Sequence, residues 1–300
     1  DEMLKFAGEN KIPVRGHVLV WHSQTPDWFF KENFDPNGAW VSKDKMTKRL
    51  ENYIKTVMET LKKDYPDVEF YAWDVVNEAA SDAGTIRDAG SNNEVNGQSA
   101  WVKVYGDQSY IPLAFEFAKK YAPAGCKLFY NDYNEYSPNK QAYIISDILK
   151  PLVEKNLIDG VGMQSHISMS YPTIDLYKSA MQQYADLGLE VQVTELDITT
   201  SDTSEAGFEK QAEMYKGIMD ACVEYADSIS AVVFWGTTDD KSWRAAKSPL
   251  LFNEDYTAKP AFYSIVEGKE PVVTTTSTSA TTSETTTETT TVTTGTTPGD

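Results

Sequence analysis

Two glutamates stand where apolar runs stop. Glu78 follows Asn77 at the end of EFYAWDVV (69–76), and Glu195 sits in LEVQVTELD (189–197), two residues before Asp197. Other runs end similarly: VRGHVLVWH (14–22) in His22, CKLFYN (126–131) in Asn131 with Asp132 next, VGMQSH (161–166) in Gln164 and His166, and ISAVVFWG (229–236) in Trp235. Side chains alternate along a strand, so His17 and Trp21 share a face, as do Gln164 and His166, and Glu195 and Asp197. One polar strand end marks only the surface, whereas six carrying Glu, His, Gln, Asn and Trp point to a shared site. No G-x-S-x-G elbow supplies a serine nucleophile, and the three His show no H-E-x-x-H spacing for a metal. What remains is a pair of carboxylates among amide, imidazole and indole groups. Two carboxylates facing each other across a sugar-binding cleft are the working parts of glycoside hydrolysis, retaining at roughly 5–5.5 Å and inverting when wider. The sequence leaves that separation open.

The elements that must gather these ends follow from periodicity. The six runs above read as strands that are apolar on both faces, with helical patterns between them. In TIDLYKSAMQQYADLG, Ile174, Tyr177, Met181, Tyr184 and Leu187 share one face and Gly188 is placed to end the helix. A later helix follows Thr203 and Ser204, either of which suits an N-cap. Alternating strands and helices predict a parallel sheet wrapped by helices. The expected fold class is α/β, a TIM (β/α)8 barrel with about six of its eight βα units present, whose strand C-termini form the mouth. A doubly wound open sheet is the alternative, weakened by the lack of a Gly-rich phosphate loop after any strand. Alternation puts His22 opposite His17 and Trp21, so it reads as a satisfied structural histidine. Asp132 reads as a cap for the following loop, and composition alone would put Trp235 and Trp243 in the core.

Composition bounds the rest. A formal net charge of −18 over 300 residues, with no basic run, argues against nucleic acid or an anionic membrane as partner. Aromatics make up 12% of the chain, enough for a large core and also suited to stacking sugar rings. Cys126 opens a strand-like run and Cys222 continues the stripe of Phe208, Tyr215 and Met219, so no bridge between them is expected. The opening DEMLKFAGENK reads as the end of an amphipathic helix, which suggests a chain that begins inside a domain. The expected division is a catalytic barrel over 1–270 and a disordered Thr/Ser-rich linker over 271–300, of the kind that joins extracellular modules. Beyond it, a carbohydrate-binding or scaffold-docking module is expected, and secretion with it.

Taken together, VRGHVLVWHSQTPDW (14–28), WDVVNEA (73–79), LFYNDYN (128–134), VGMQSH (161–166), VTELD (193–197) and FWG (234–236) carry a resemblance. From about residue 1 to 268 the chain resembles the family 10 glycoside hydrolases, endo-β-1,4-xylanases with a TIM-barrel fold. The resemblance implies Glu78 as general acid/base and Glu195 as nucleophile of a retaining reaction on xylan, with no cofactor and no metal. It implies Asn77 on the sugar 2-hydroxyl, His17, Trp21 and Gln24 on the glycone side, and Gln164 and His166 beside the nucleophile. Asp197 would orient His166, Trp235 and Trp243 would close over the glycone sugars, and Tyr133 would contact the aglycone. Glu78 is then expected to hold its proton through burial and the nearby charge of Glu195. The family's second strand ends in a Glu-Asn pair followed by a Lys, and these residues have no counterpart here. The 300 residues alone are therefore expected to be poorly stable or weakly active. A cellulose- or mixed-linkage-glucan-cleaving barrel and a non-catalytic carbohydrate binder are the competing readings.

Overall fold

Strand-forming runs that are apolar on both faces need cover on both sides, and the inner strands receive it. The computed structural model describes residues 1–92 and 97–266, so the Thr/Ser-rich segment 271–300 lies outside the described residues. Among the described residues there are seven strand segments: β1 (Val14–Trp21), β2 (Phe70–Asn77), β3 (Lys127–Asp132), β4 (Gly160–Met163), β5 (His166–Ser168), β6 (Glu190–Thr199) and β7 (Ile229–Phe234). Every pairing between them is parallel, in the spatial order β1-β2-β3-β4-β6, with β5 and β7 also on β6. Counting β4 and β5 as one interrupted strand, six strands of a (β/α)8 barrel are present. The helices are α1 (Glu2–Asn10), α2 (Lys43–Asp64), α3 (Ala100–Tyr105), α4 (Tyr110–Tyr121), α5 (Pro138–Tyr143), α6 (Lys150–Glu154), α7 (Ile174–Ala185), α8 (Glu205–Glu224) and α9 (Pro260–Ile265). A π-turn over Ile144–Leu149 joins α5 to α6.

The helices form for local reasons and stay for tertiary ones. Ser42 caps α2 by accepting the Lys45 N–H at 3.3 Å, and Met46, Leu50, Ile54 and Met58 then recur every fourth residue, all fully buried. Each such side chain contributes about 1.5–3 kcal/mol on leaving water. Ser204 rather than Thr203 caps α8, accepting from the Gly207 N–H at 3.2 Å. In α7, Tyr177, Met181 and Tyr184 form the buried face, and Gly188 takes the left-handed conformation at φ 73° just beyond it. Both cysteines are free thiols.

One strand departs from its expected form. VGMQSH breaks at Gln164 and Ser165, where Ser165 turns left-handed at φ 61°, and pairing resumes at His166 opposite Asp197. The Ser165 hydroxyl meets the Tyr177 hydroxyl at 2.6 Å and reaches the Met163 carbonyl at 3.2 Å, which holds the kink. The edge strand β7 also differs from the inner ones. β2 is buried along its length apart from a half-buried Tyr71, whereas β7 is half-buried or exposed throughout. Among the described residues β1 and β7 each lie at an open edge of the sheet.

Candidate active site

The parallel register brings the polar strand ends to one level. Trp21 pairs with Asn77, Asn77 with Asn131, and Asn131 with Gly162. Above them opens a cleft of about 1010 Å³ lined by His17, Trp21, Gln24, Asn77, Glu78, Tyr133, Gln164, His166, Glu195, Trp235 and Trp243. Asp197 lies behind His166, fully buried.

Glu78 leaves the end of β2 in the left-handed region, at φ 55°. That conformation costs a non-glycine residue of order 1 kcal/mol, and fixed partners hold it. Its N–H donates to the Asn131 carbonyl at 2.9 Å, and its carbonyl accepts from Arg87 Nε. Its carboxylate accepts from Trp21 Nε1 at 2.9 Å, Gln164 Nε2 at 3.0 Å and Asn77 Nδ2 at 3.1 Å. Burial pushes the Glu78 carboxyl above its ordinary range, and the charge of Asp132 adds to that push. The Gln164 and Trp21 hydrogen bonds and the Arg87 charge oppose it. The added negative charge was expected from Glu195, so its source differs: Asp132 is buried on the neighbouring strand.

Glu195 is also buried, but a histidine faces it. Asn131 Nδ2 donates to its Oε1 at 2.8 Å, and His166 Nε2 lies 3.1 Å from its Oε2. Burial would lower the His166 pKa, yet its hydrogen bonds to Asp197 and Glu195 win and raise it to about 9. At neutral pH the ring is therefore cationic, with one N–H toward Glu195 and the other toward Asp197 at 2.9 Å. Asp197 also accepts from Trp243 Nε1 at 2.9 Å and Arg244 Nη1 at 2.6 Å, so one buried carboxylate fixes three cleft side chains.

Asn77 and Asn131 connect the two carboxylates. Asn77 Oδ1 accepts from Asn131 Nδ2 at 2.9 Å and from Gln164 Nε2 at 3.0 Å, while Asn131 Oδ1 accepts from Thr194 at 2.7 Å. His17 is held from below, with Nδ1 2.9 Å from Asp74, which also takes both guanidinium arms of Arg15. Arg15 Nε donates in turn to Gln192 at 2.8 Å, tying β1, β2 and β6 together. On the opposite flank, the Lys140 ammonium sits 3.4 Å over the Tyr133 ring and 2.9 Å from Asp132. Asp132 also accepts the Tyr133 N–H at 2.9 Å, the loop-capping bond its position suggests. Trp235 is 37% and Trp243 65% exposed, so these indoles face the cleft rather than the core that composition alone favours.

His22 does not behave as a satisfied structural histidine. It is buried, its Nδ1 has no hydrogen-bond partner, and that atom lies 3.9 Å from Glu78 Oε2. Burial drives its pKa down to about 3, so it is neutral. The chain leaves β1 at Trp21, so strand alternation no longer governs where His22 points. Sequence reasoning placed Asn131 among the strand ends of a shared site without giving it a role, and did not assign Arg87, Asp74 or Thr194 to the site. Asn131 had a signal, its place at a strand end, but its link to Glu195 depends on cross-strand register. Arg87 lies in a loop without periodicity and gave none.

The chain is 47% identical over 262 residues to a bifunctional endo-1,4-beta-xylanase XylA of Ruminococcus flavefaciens, covering 87% of this chain and 26% of that protein. It is 46% identical over 276 residues to endo-1,4-beta-xylanase Y of Acetivibrio thermocellus, covering 88% of this chain and 25% of that protein. The chain thus spans about a quarter of the length of these curated relatives. Among solved structures it resembles the CBM22-1–GH10 modules of Clostridium thermocellum endo-1,4-beta-D-xylanase 10B complexed with xylohexaose. That likeness has a TM-score of 0.82 and 44% identity, over 88% of this chain and 54% of that one. The family model for glycosyl hydrolase family 10 matches residues 1–268, and the chain belongs to that family.

Proposed function

We propose that this chain hydrolyses internal β-1,4-xylosidic bonds of xylan with retention of anomeric configuration, Glu78 serving as acid/base and Glu195 as nucleophile. The observation that carries the reading is the contrast between two carboxylates in one cleft. Burial favours the protonated form of Glu78, while Glu195 faces a cationic His166. Glu195 attacks the anomeric carbon, the bond to the leaving oxygen breaks, and Glu78 gives that oxygen its proton. A water molecule then attacks the same carbon, Glu78 takes the water's proton, and the bond to Glu195 breaks to restore the carboxylate. Asn77, fixed by Asn131 and Gln164, is suited to the 2-hydroxyl. His17, Trp21, Gln24, Trp235 and Trp243 form the glycone side, and Tyr133 the aglycone side. The xylohexaose held by the Clostridium thermocellum relative supports xylan as substrate. The Thr/Ser-rich composition of 271–300 supports a secreted module joined to another, carbohydrate-binding or scaffold-docking.

The test is reducing-sugar release from xylan by the full chain and by Glu195→Ala and Glu78→Ala. Loss of at least ~10³-fold is expected for Glu195→Ala, because the covalent route disappears. Release by Glu195→Ala at the parent rate, or none by the parent protein, would overturn the reading, and the second result would favour a binder.

A further inference from the structure

Arg87 is 5% exposed and comes from the loop after β2, yet its guanidinium reaches the acidic site by three bonds. Nε donates to the Glu78 carbonyl, Nη1 to the Gly97 carbonyl at 3.3 Å and Nη2 to the Tyr133 hydroxyl at 3.4 Å. Tyr133 is held from its other side by Asp82, whose Oδ2 accepts the same hydroxyl's proton at 3.3 Å, and by Lys140 above the ring. Glu78 therefore has two backbone anchors at its left-handed φ, the Asn131 carbonyl through its N–H and Arg87 through its carbonyl. Without the second anchor, Glu78 gains freedom to return toward an ordinary backbone conformation, which would swing its carboxyl away from Trp21 and Gln164.

We propose that Arg87 is a positioning residue that fixes Glu78 and Tyr133 in one frame, so that the proton donor and the leaving-group side of the cleft are aligned together. The inference rests on the acid/base role proposed for Glu78. Arg87 touches the backbone rather than the carboxyl of Glu78, so its effect should track the need for proton transfer. A lysine keeps the charge but offers a single ammonium, which cannot hold two carbonyls and a hydroxyl in a fixed fork.

The experiment compares Arg87→Met and Arg87→Lys with the parent full chain on xylan and on 2,4-dinitrophenyl xylobioside, whose leaving group departs without a proton. Both variants are expected to lose roughly 10²-fold in kcat/KM on xylan, the scale of a displaced general acid. The dinitrophenol burst, counted per competent site, is expected to stay within about 3-fold in rate, since that step needs no acid. Azide, a nucleophile that needs no base, is expected to restore turnover after the burst. Burst amplitude counts folded sites, so a poorly folding methionine variant leaves the lysine variant to decide. Equal losses on both substrates, or parent-like xylan turnover by Arg87→Lys, would overturn the positioning role. A parent protein that gives neither burst nor xylan release would instead remove the functional reading beneath it.

Discussion

Trp21 shows how one side chain sets a proton's residence. Its indole N–H donates to Glu78 at 2.9 Å, a bond that favours the charged carboxylate and opposes the effect of burial. Replacing it with phenylalanine keeps the ring and deletes the donor. A hydrogen bond to a charged group is worth about 1.5–3 kcal/mol. The Glu78 carboxyl, already raised by burial, should therefore rise further when this donor is lost. In the proposed mechanism Glu78 acts first as an acid, so activity falls as pH climbs through its pKa. The alkaline limb of kcat/KM in Trp21→Phe is therefore expected at higher pH than in the parent, and a pH–rate profile reads it directly. A limb that stays in place or moves down would mean that the indole does not bond the ionised form. His166 marks the other extreme, since partners on both ring nitrogens keep it charged well beyond neutrality.

At the scale of elements, glycine placement decides whether neighbouring strands can carry large polar groups. Gly162 of β4 pairs with Asn131, and a Cβ there would fall 2.2 Å from Asn131 Oδ1 and 2.9 Å from a Thr194 methyl. Gly162→Ala should therefore push Asn131 off both Glu195 and Asn77. Overpacking of this kind costs about 1–3 kcal/mol, so denaturant melts should show that loss together with a clear fall in kcat. Full activity in a stable Gly162→Ala protein would show that Asn131 has room to give. Strand number, direction and most boundaries were legible in the sequence because apolar runs on both faces are an unusual pattern with few explanations. The break after Met163 was not, because VGMQSH keeps strand-like composition through the kink, and the Ser165 bonds to the Tyr177 hydroxyl of α7 and the Met163 carbonyl that hold it are tertiary and local contacts with no sequence pattern. His22 was misread for a related reason: alternation is reliable inside a strand and fails one residue beyond its end. Arg87 stayed hidden because a loop arginine is ordinary, and its three acceptors lie on three separate stretches of chain.

For the molecule, the sheet edges matter most. Among the described residues β1 and β7 keep unpaired sides, and Met3 and Phe6 of α1 are 70% and 60% exposed. Open edges and exposed apolar groups weaken cooperativity and invite association between chains. The 300 residues on their own are therefore expected to melt broadly, with a van't Hoff enthalpy well below the calorimetric one, and to turn over xylan weakly. A sharp transition with equal enthalpies, measured by scanning calorimetry, would count against this. The inner network predicts where residual order should persist. Hydrogen exchange should be slowest in β2, β3 and β6, which are buried along nearly their whole length.

The interruption between β4 and β5 has a mechanical meaning. On one side of the break Gln164 bonds Glu78 at 3.0 Å, and on the other His166 meets Glu195 at 3.1 Å. A single stretch of backbone thus serves as the common datum for both carboxyl groups. In the double displacement proposed above, a shift of that stretch as a body would act on both carboxyl groups in the same sense, and so would disturb the gap between them less than a shift of either contact alone.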